Sequence, residues 1–230
     1  SGRHLLAAGL TGVALAAHFA TWFESLSWTS VAASVTLVQS QPIFVVTGAW
    51  LLLNERVTGR TVLGVVVAIG GIVVMSLGDL LGGTAVGPRP LYGNALALVG
   101  GLMAAGYVLA GRSLRQRLPL LPYVTVVYGV AALALLAVVL AQGLPLTGYE
   151  SREWLLFLGM AVGPGILGHT LVNWSLAHVE SSLVSVTLLG EPLGSALLAL
   201  LLLTEVPSSW TVAGGAVVLA GITLTARSSE

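Results

Sequence analysis

The chain of 230 residues carries 56% hydrophobic and 8% charged side chains, where soluble domains carry about 25% charged residues. Nine acids and nine bases cancel, and every base is an arginine. That excludes a nucleic-acid surface and the high net charge of a disordered segment. Cysteine is absent, which removes disulfide frameworks, thiolate metal sites and Cys nucleophiles together. Composition points to an all-α integral membrane protein.

A bilayer-spanning helix needs about 20 mostly apolar residues. Taken in chain order, the sequence divides into eight such segments: about 5–26, 30–53, 58–77, 91–111, 122–141, 153–176, 180–203 and 208–226. Charge and turn chemistry mark the breaks at Asn54-Glu55-Arg56, Gly82 to Pro90, Arg112 to Pro122, and Leu144 to Arg152. Membrane strands, about 10 residues of alternating polarity, do not fit runs such as Ala131 to Ala141, which are apolar on every face. The first segment has no small-residue cleavage site and holds His18 and Trp22, so it reads as a span rather than a signal peptide. Eight spans put both termini on one side. That side collects Arg3, Arg56, Arg60, Arg112, Arg115, Arg117 and Arg227, against Arg89 and Arg152 on the other. The bias places both termini in the cytoplasm of a cell-membrane protein.

A shift of 150 residues superposes Ser25-Leu26 on Ser175-Leu176, Pro42 on Pro192, Glu55 on Glu205, Gly64 on Gly214 and Gly71-Ile72 on Gly221-Ile222. The Pro-bearing spans are second and seventh, an odd separation, so the two copies run oppositely across the membrane. Inverted repeats of this kind are a mark of many secondary transporters, with substrate near the midplane between the copies.

The span Ser25-Leu26-x-x-Thr29-Ser30-Val31-Ala32-Ala33-Ser34-Val35-x-Leu37-Val38, then Pro42, then Leu51-Leu52-Leu53-Asn54-Glu55-Arg56, is followed by a glycine-patterned closing helix. This resembles the EamA family of the drug/metabolite transporter superfamily. Asn173-Trp174-Ser175-Leu176, Gly190-Glu191-Pro192-Leu193 and Leu203-Thr204-Glu205 look like that family's second repeat. The resemblance implies ten helices, five per repeat. Residues 1–80 then correspond to the last three helices of a first repeat, 81–90 to an extracytoplasmic linker and 91–230 to a complete second repeat. The expectation is a ten-helix fold lacking its first two helices, in a chain that opens Ser1-Gly2-Arg3 rather than Met.

Ionisable groups inside spans are costly and mark function by default. Glu191 directly precedes Pro192, which cannot donate to the Leu188 carbonyl. The carboxyl and the freed carbonyl suit a proton, a cation or a substrate amine; the alternative is a protonated Glu191 bonded to a neighbouring helix. Gln41 is its repeat mate, chosen over Gln39, which lies about 200° away around the helix. His18 and His169 are repeat mates suited to carrying protons, or else neutral rings that hold backbone carbonyls. Two His with one carboxylate and no fixed spacing make a weak metal motif, and no metal or other cofactor is expected. Trp22 follows His18 by four residues and Asn173 follows His169 by four, so each pair shares a helix face. Tyr107 adds a hydroxyl in the fourth span. The candidate substrate site is therefore His18, Trp22, Gln41, Tyr107, His169, Asn173 and Glu191, with Glu191 and His169 coupling protons. Glu55 and Glu205, near the interface, read as structural, capping a helix N-terminus or pairing with an arginine. Trp28, Trp50, Trp154 and Trp210 read as interface anchors, and the paired glycines Gly70-Gly71, Gly100-Gly101 and Gly214-Gly215 as close packing.

P-loop, His-Glu-x-x-His, Gly-x-Ser-x-Gly and Asp-rich motifs are absent. The leading expectation is a non-enzymatic secondary transporter, monomer or homodimer, moving a small metabolite such as an amino acid, often for export. The alternatives are a lipid flippase of the same fold or a membrane enzyme that modifies lipids. Expected partners are a small-molecule substrate and the bilayer, with no nucleic acid.

Overall fold

The computed structural model describes residues 2–81, 87–204, 206 and 208–227. Glu205 and most of the Gly82–Pro90 linker lie outside the described residues, as does the inverted position expected for Glu205. The described residues are helical throughout, with turns and short connections and no strand. In chain order the helices are α1 (Gly2–Ser25), α2 (Val31–Val38), α3 (Gln41–Leu53), α4 (Gly59–Leu81), α5 (Pro90–Arg115), α6 (Leu120–Ala141), α7 (Ser151–Met160), a π-helical stretch (Ala161–Gly168), α8 (His169–Ser175), α9 (Ser181–Leu188), α10 (Glu191–Leu203) and α11 (Ser209–Ala226). Eight of the resulting helical segments are long and apolar enough to cross a membrane. The expected eight-span, all-α membrane fold is the observed one.

The repeat is visible in the backbone. The second span breaks into α2 and α3 at Gln39–Ser40, and the seventh breaks into α9 and α10 at Leu189–Gly190, the position 150 residues on. Pro42 and Pro192 cause both breaks: each lacks an N–H and so sits one residue into the second half-helix, where no helical bond is missed. The two non-glycine residues with positive φ among those described are also mates, Asn54 (φ 53°) and Thr204 (φ 57°), ending α3 and α10. Caps repeat as well. Thr58 accepts the Thr61 N–H before α4, and Ser208 accepts the Thr211 N–H before α11.

Helices α4 and α11 pack along a glycine seam. A Cβ on Gly64 would stand 2.7 Å from the Gly221 carbonyl oxygen, and one on Gly221 would stand 2.6 Å from that of Gly64. Gly71 and Gly214 repeat the relation at 2.7 and 2.6 Å. The earlier glycine of α4 meets the later one of α11, so the helices run antiparallel. Each mate exchanges its contact with the other, as across a two-fold axis. This is the inversion that the odd helix separation predicts.

Two apolar clusters fill the bundle. One joins α1, α5 and α6 through Leu15, Val108, Tyr123 and Val127; the other joins α4, α9 and α11 through Ile72, Val186 and Val218. By contrast, α7 and the π-helical stretch contribute no buried residue.

Candidate functional site

Most of the candidates singled out from sequence, though not Gln41 or Glu191, converge where α1, α5, α6 and α8 meet. Asn173 is completely buried. Its Nδ2, with two hydrogens to donate, lies 2.5 Å from Tyr107 Oη, 2.8 Å from the His169 carbonyl oxygen and 3.2 Å from Tyr128 Oη. Tyr107 Oη also lies 3.3 Å from His169 Nδ1. Phe19 sets its ring edge-on to His169, with centroids 5.5 Å apart, and neighbours His18 at 4.9 Å. His18 and Trp22 stack at 5.7 Å and 21°, as their four-residue spacing predicts. Five of the seven candidates, His18, Trp22, Tyr107, His169 and Asn173, thus form one connected group.

His18 Nδ1 lies 2.9 Å from the Gly100 carbonyl oxygen, so this ring nitrogen holds a backbone carbonyl, the plainer of its two expected roles. The close approach depends on Gly100, where a Cβ would meet Thr21 Oγ1 at 3.2 Å.

Gln41 opens α3 and is buried. Three of the candidates carry buried polar atoms with no hydrogen-bond partner among the described residues: Trp22 Nε1, Gln41 Nε2 and Asn173 Oδ1. Glu191 opens α10 and is exposed. Among the described residues it makes no hydrogen bond or ring contact with His169 or any other member of the group.

Three members escaped the sequence reading: Phe19, Tyr128 and Thr170, whose Oγ1 lies 3.2 Å from Tyr128 Oη. Tyr128 follows Tyr123 in a span apolar on most faces, and only the 45-residue separation from Asn173 brings it into play. No local periodicity signals that. The fourth span also runs farther than expected, to Arg115 rather than 111. Arg112 and Arg115 do not end the helix because their side chains find acceptors within the fold. Arg112 Nη1 donates to the Leu176 carbonyl at 3.0 Å and Arg115 Nε to the Asn173 carbonyl at 3.0 Å.

The profile of the EamA-like transporter family matches residues 1–77 and 91–227. This chain belongs to that family. Two relatives from Archaeoglobus fulgidus, each named an uncharacterized transporter, are 25% and 31% identical to it. The matches cover 96% and 97% of this chain and 75% and 77% of the relatives. A protein of known crystal structure shares the fold at a TM-score of 0.77 and 20% identity, over 98% of this chain and 88% of its own.

In this EamA-like chain the expected structural role of Glu55 is the one observed. Its Oε1 accepts Arg112 Nε at 2.9 Å, and both carboxylate oxygens lie 3.1 Å from the Ser181 backbone N at the start of α9. Oε2 also accepts Ser181 Oγ at 2.8 Å. An anion at a helix N-terminus compensates the dipole and meets N–H groups without a helical partner.

Proposed function

We propose that the chain is a secondary transporter that carries a small organic solute of amino-acid size by alternating access. Its substrate site is His18, Trp22, Gln41, Tyr107, His169 and Asn173. The observation that supports this most is the set of unpartnered atoms. Leaving a buried donor or acceptor unsatisfied costs about 1–3 kcal/mol each, yet Trp22 Nε1, Gln41 Nε2 and Asn173 Oδ1 are all left so. The two donors match a carboxylate and the acceptor an amine or hydroxyl, while the His18–Trp22 stack matches an apolar body. Glu191, at the break in the seventh span, supplies the proton coupling together with His169.

In this reading residues 1–80 contribute three spans of one repeat, 81–90 link the repeats outside the cell, and 91–230 contribute five spans of the other. The protein sits in the cell membrane with both termini in the cytoplasm, following the arginine bias. An impermeant thiol reagent outside the cell should modify a cysteine at Thr147 and spare one at Arg117; the reverse pattern refutes the orientation.

Binding is tested by thermal stabilisation of the purified protein against a panel of zwitterionic amino acids. A panel member that raises the melting temperature of the parent, but not of Asn173→Leu, supports the site. Stabilisation by phospholipid headgroups alone would favour the flippase alternative.

A further inference from the structure

Glu55 and its partners lie at one end of the bundle, and their connectivity is unusual for simple packing. The carboxylate belongs to the loop after α3, in the first repeat. All its partners belong to the second repeat: Arg112 on α5 and Ser181 on α9. The pair is nearly enclosed, with side-chain exposures of 8% for Glu55 and 15% for Arg112. Asn54 sets the approach. Its left-handed φ of 53° turns the chain out of α3, and the Glu55 N–H returns to the Ala49 carbonyl at 3.1 Å, so the Glu55 side chain projects across to α9 rather than along α3.

The same cluster is tied to the substrate site. Helix α8 ends at Ser175, and the N–H groups that follow return to the carbonyls of Val172, Trp174 and Ser175, leaving those of Asn173 and Leu176 to other donors. Arg112 takes that of Leu176 and Arg115 that of Asn173, one turn apart on α5. Asn173 is therefore held twice. Its amide is held by Tyr107 and Tyr128, and its backbone by an arginine one turn from the Glu55 partner.

We infer that Glu55, Arg112 and Ser181 form a latch between the repeats that closes this end of the bundle over the site, and that Arg115 is the positioning residue through which the latch holds Asn173. The inference rests on the transporter reading above. Opening this end requires α3 to leave α9, and the bonds that span those two helices on Glu55 are the ones that must break. Next to Ser181 in the first turn of α9, Ser182 is buried and its Oγ has no partner among the described residues, so water that enters when the latch opens meets a hydroxyl ready to bind it.

The absence of cysteine makes accessibility the direct test. A single cysteine at Ser182 is exposed to an impermeant methanethiosulfonate reagent, from each face, in oriented membrane vesicles. In the otherwise unaltered chain Cys at this position should be protected. Glu55→Gln, which keeps the shape and loses the charge, should raise the labelling rate at least tenfold from the Glu55 face only. Arg112→Lys, which keeps the charge and loses the paired donors, should do the same and carries the test if Glu55→Gln fails to accumulate. A cysteine at Val127, in the α1–α5–α6 core, should stay protected in both variants. Labelling at both positions, or at neither, overturns the latch, since static packing would lower the melting temperature without opening one face. The assay needs no solute. Protection at Ser182 in variants that still move solute sinks the latch alone, while faster labelling in a protein that moves no solute leaves the latch and sinks the transporter reading.

Discussion

Gly71 and Gly214 face one another across the α4–α11 seam so closely that a Cβ on either would stand within 2.7 Å of the other's carbonyl oxygen. Residue 71 maps to 221 in the repeat and residue 64 to 214, so the contact between Gly71 and Gly214 has a twin in that between Gly64 and Gly221. In lipid, helix association relies on close van der Waals packing rather than on the hydrophobic effect, and small residues permit it.

A methyl group at Gly71 should therefore force the seam apart. Gly71→Ala is expected to cost about 1–3 kcal/mol, in the range for overpacking, read as a fall in melting temperature in detergent. Gly70→Ala is the control, because its Cβ meets nothing within 4 Å. Equal effects at the two positions would show that intrinsic glycine replacement, and not the seam, sets the cost.

Tyr107 Oη stands between His169 Nδ1 and Asn173 Nδ2. Tyr107→Phe keeps the ring and removes that link. Solute affinity should fall roughly tenfold, about 1.4 kcal/mol, the scale of one hydrogen bond to a buried polar group. Equilibrium binding of the amino acid found in the stabilisation screen measures this. Unchanged affinity would make Tyr107 a packing residue.

The spans, their number and the two proline breaks were legible in the sequence because they depend on local chemistry: apolar length, missing N–H groups, and charge between segments. The role of Glu55 was legible for a similar reason, since a carboxylate at a span end needs a cap or an arginine. Which partners it found was not, because Ser181 is 126 residues away. The faces of α6 were equally hidden: a helix apolar on most sides does not reveal that Tyr128 points to Asn173. Arg112 set the expected end of the fourth span too early, because charge marks a helix end only where no carbonyl waits to receive it. The π-helical stretch around Pro164 also escaped, since its mate region in α1 is ordinary α-helix.

Glu191 carries the proposed proton coupling from the first turn of α10. Glu191→Gln retains the shape and the acceptor oxygen but cannot titrate. The variant should fold, and should still exchange solute across a vesicle membrane at the parent rate. Its uptake should no longer respond to an imposed pH gradient, whereas the parent's should rise with one. A variant that responds like the parent would move proton coupling away from Glu191.

Transport by the reconstituted protein tests the central claim most directly. Proteoliposomes preloaded with the unlabelled amino acid that stabilises the protein are placed in the radiolabelled form, and its entry is followed for the parent and for Asn173→Leu. The parent should exchange label well above empty liposomes, and Asn173→Leu, verified as folded by its elution and melting profile, should fall to the liposome background. Equal exchange by the two proteins, or none by the parent, would contradict a solute path through Asn173.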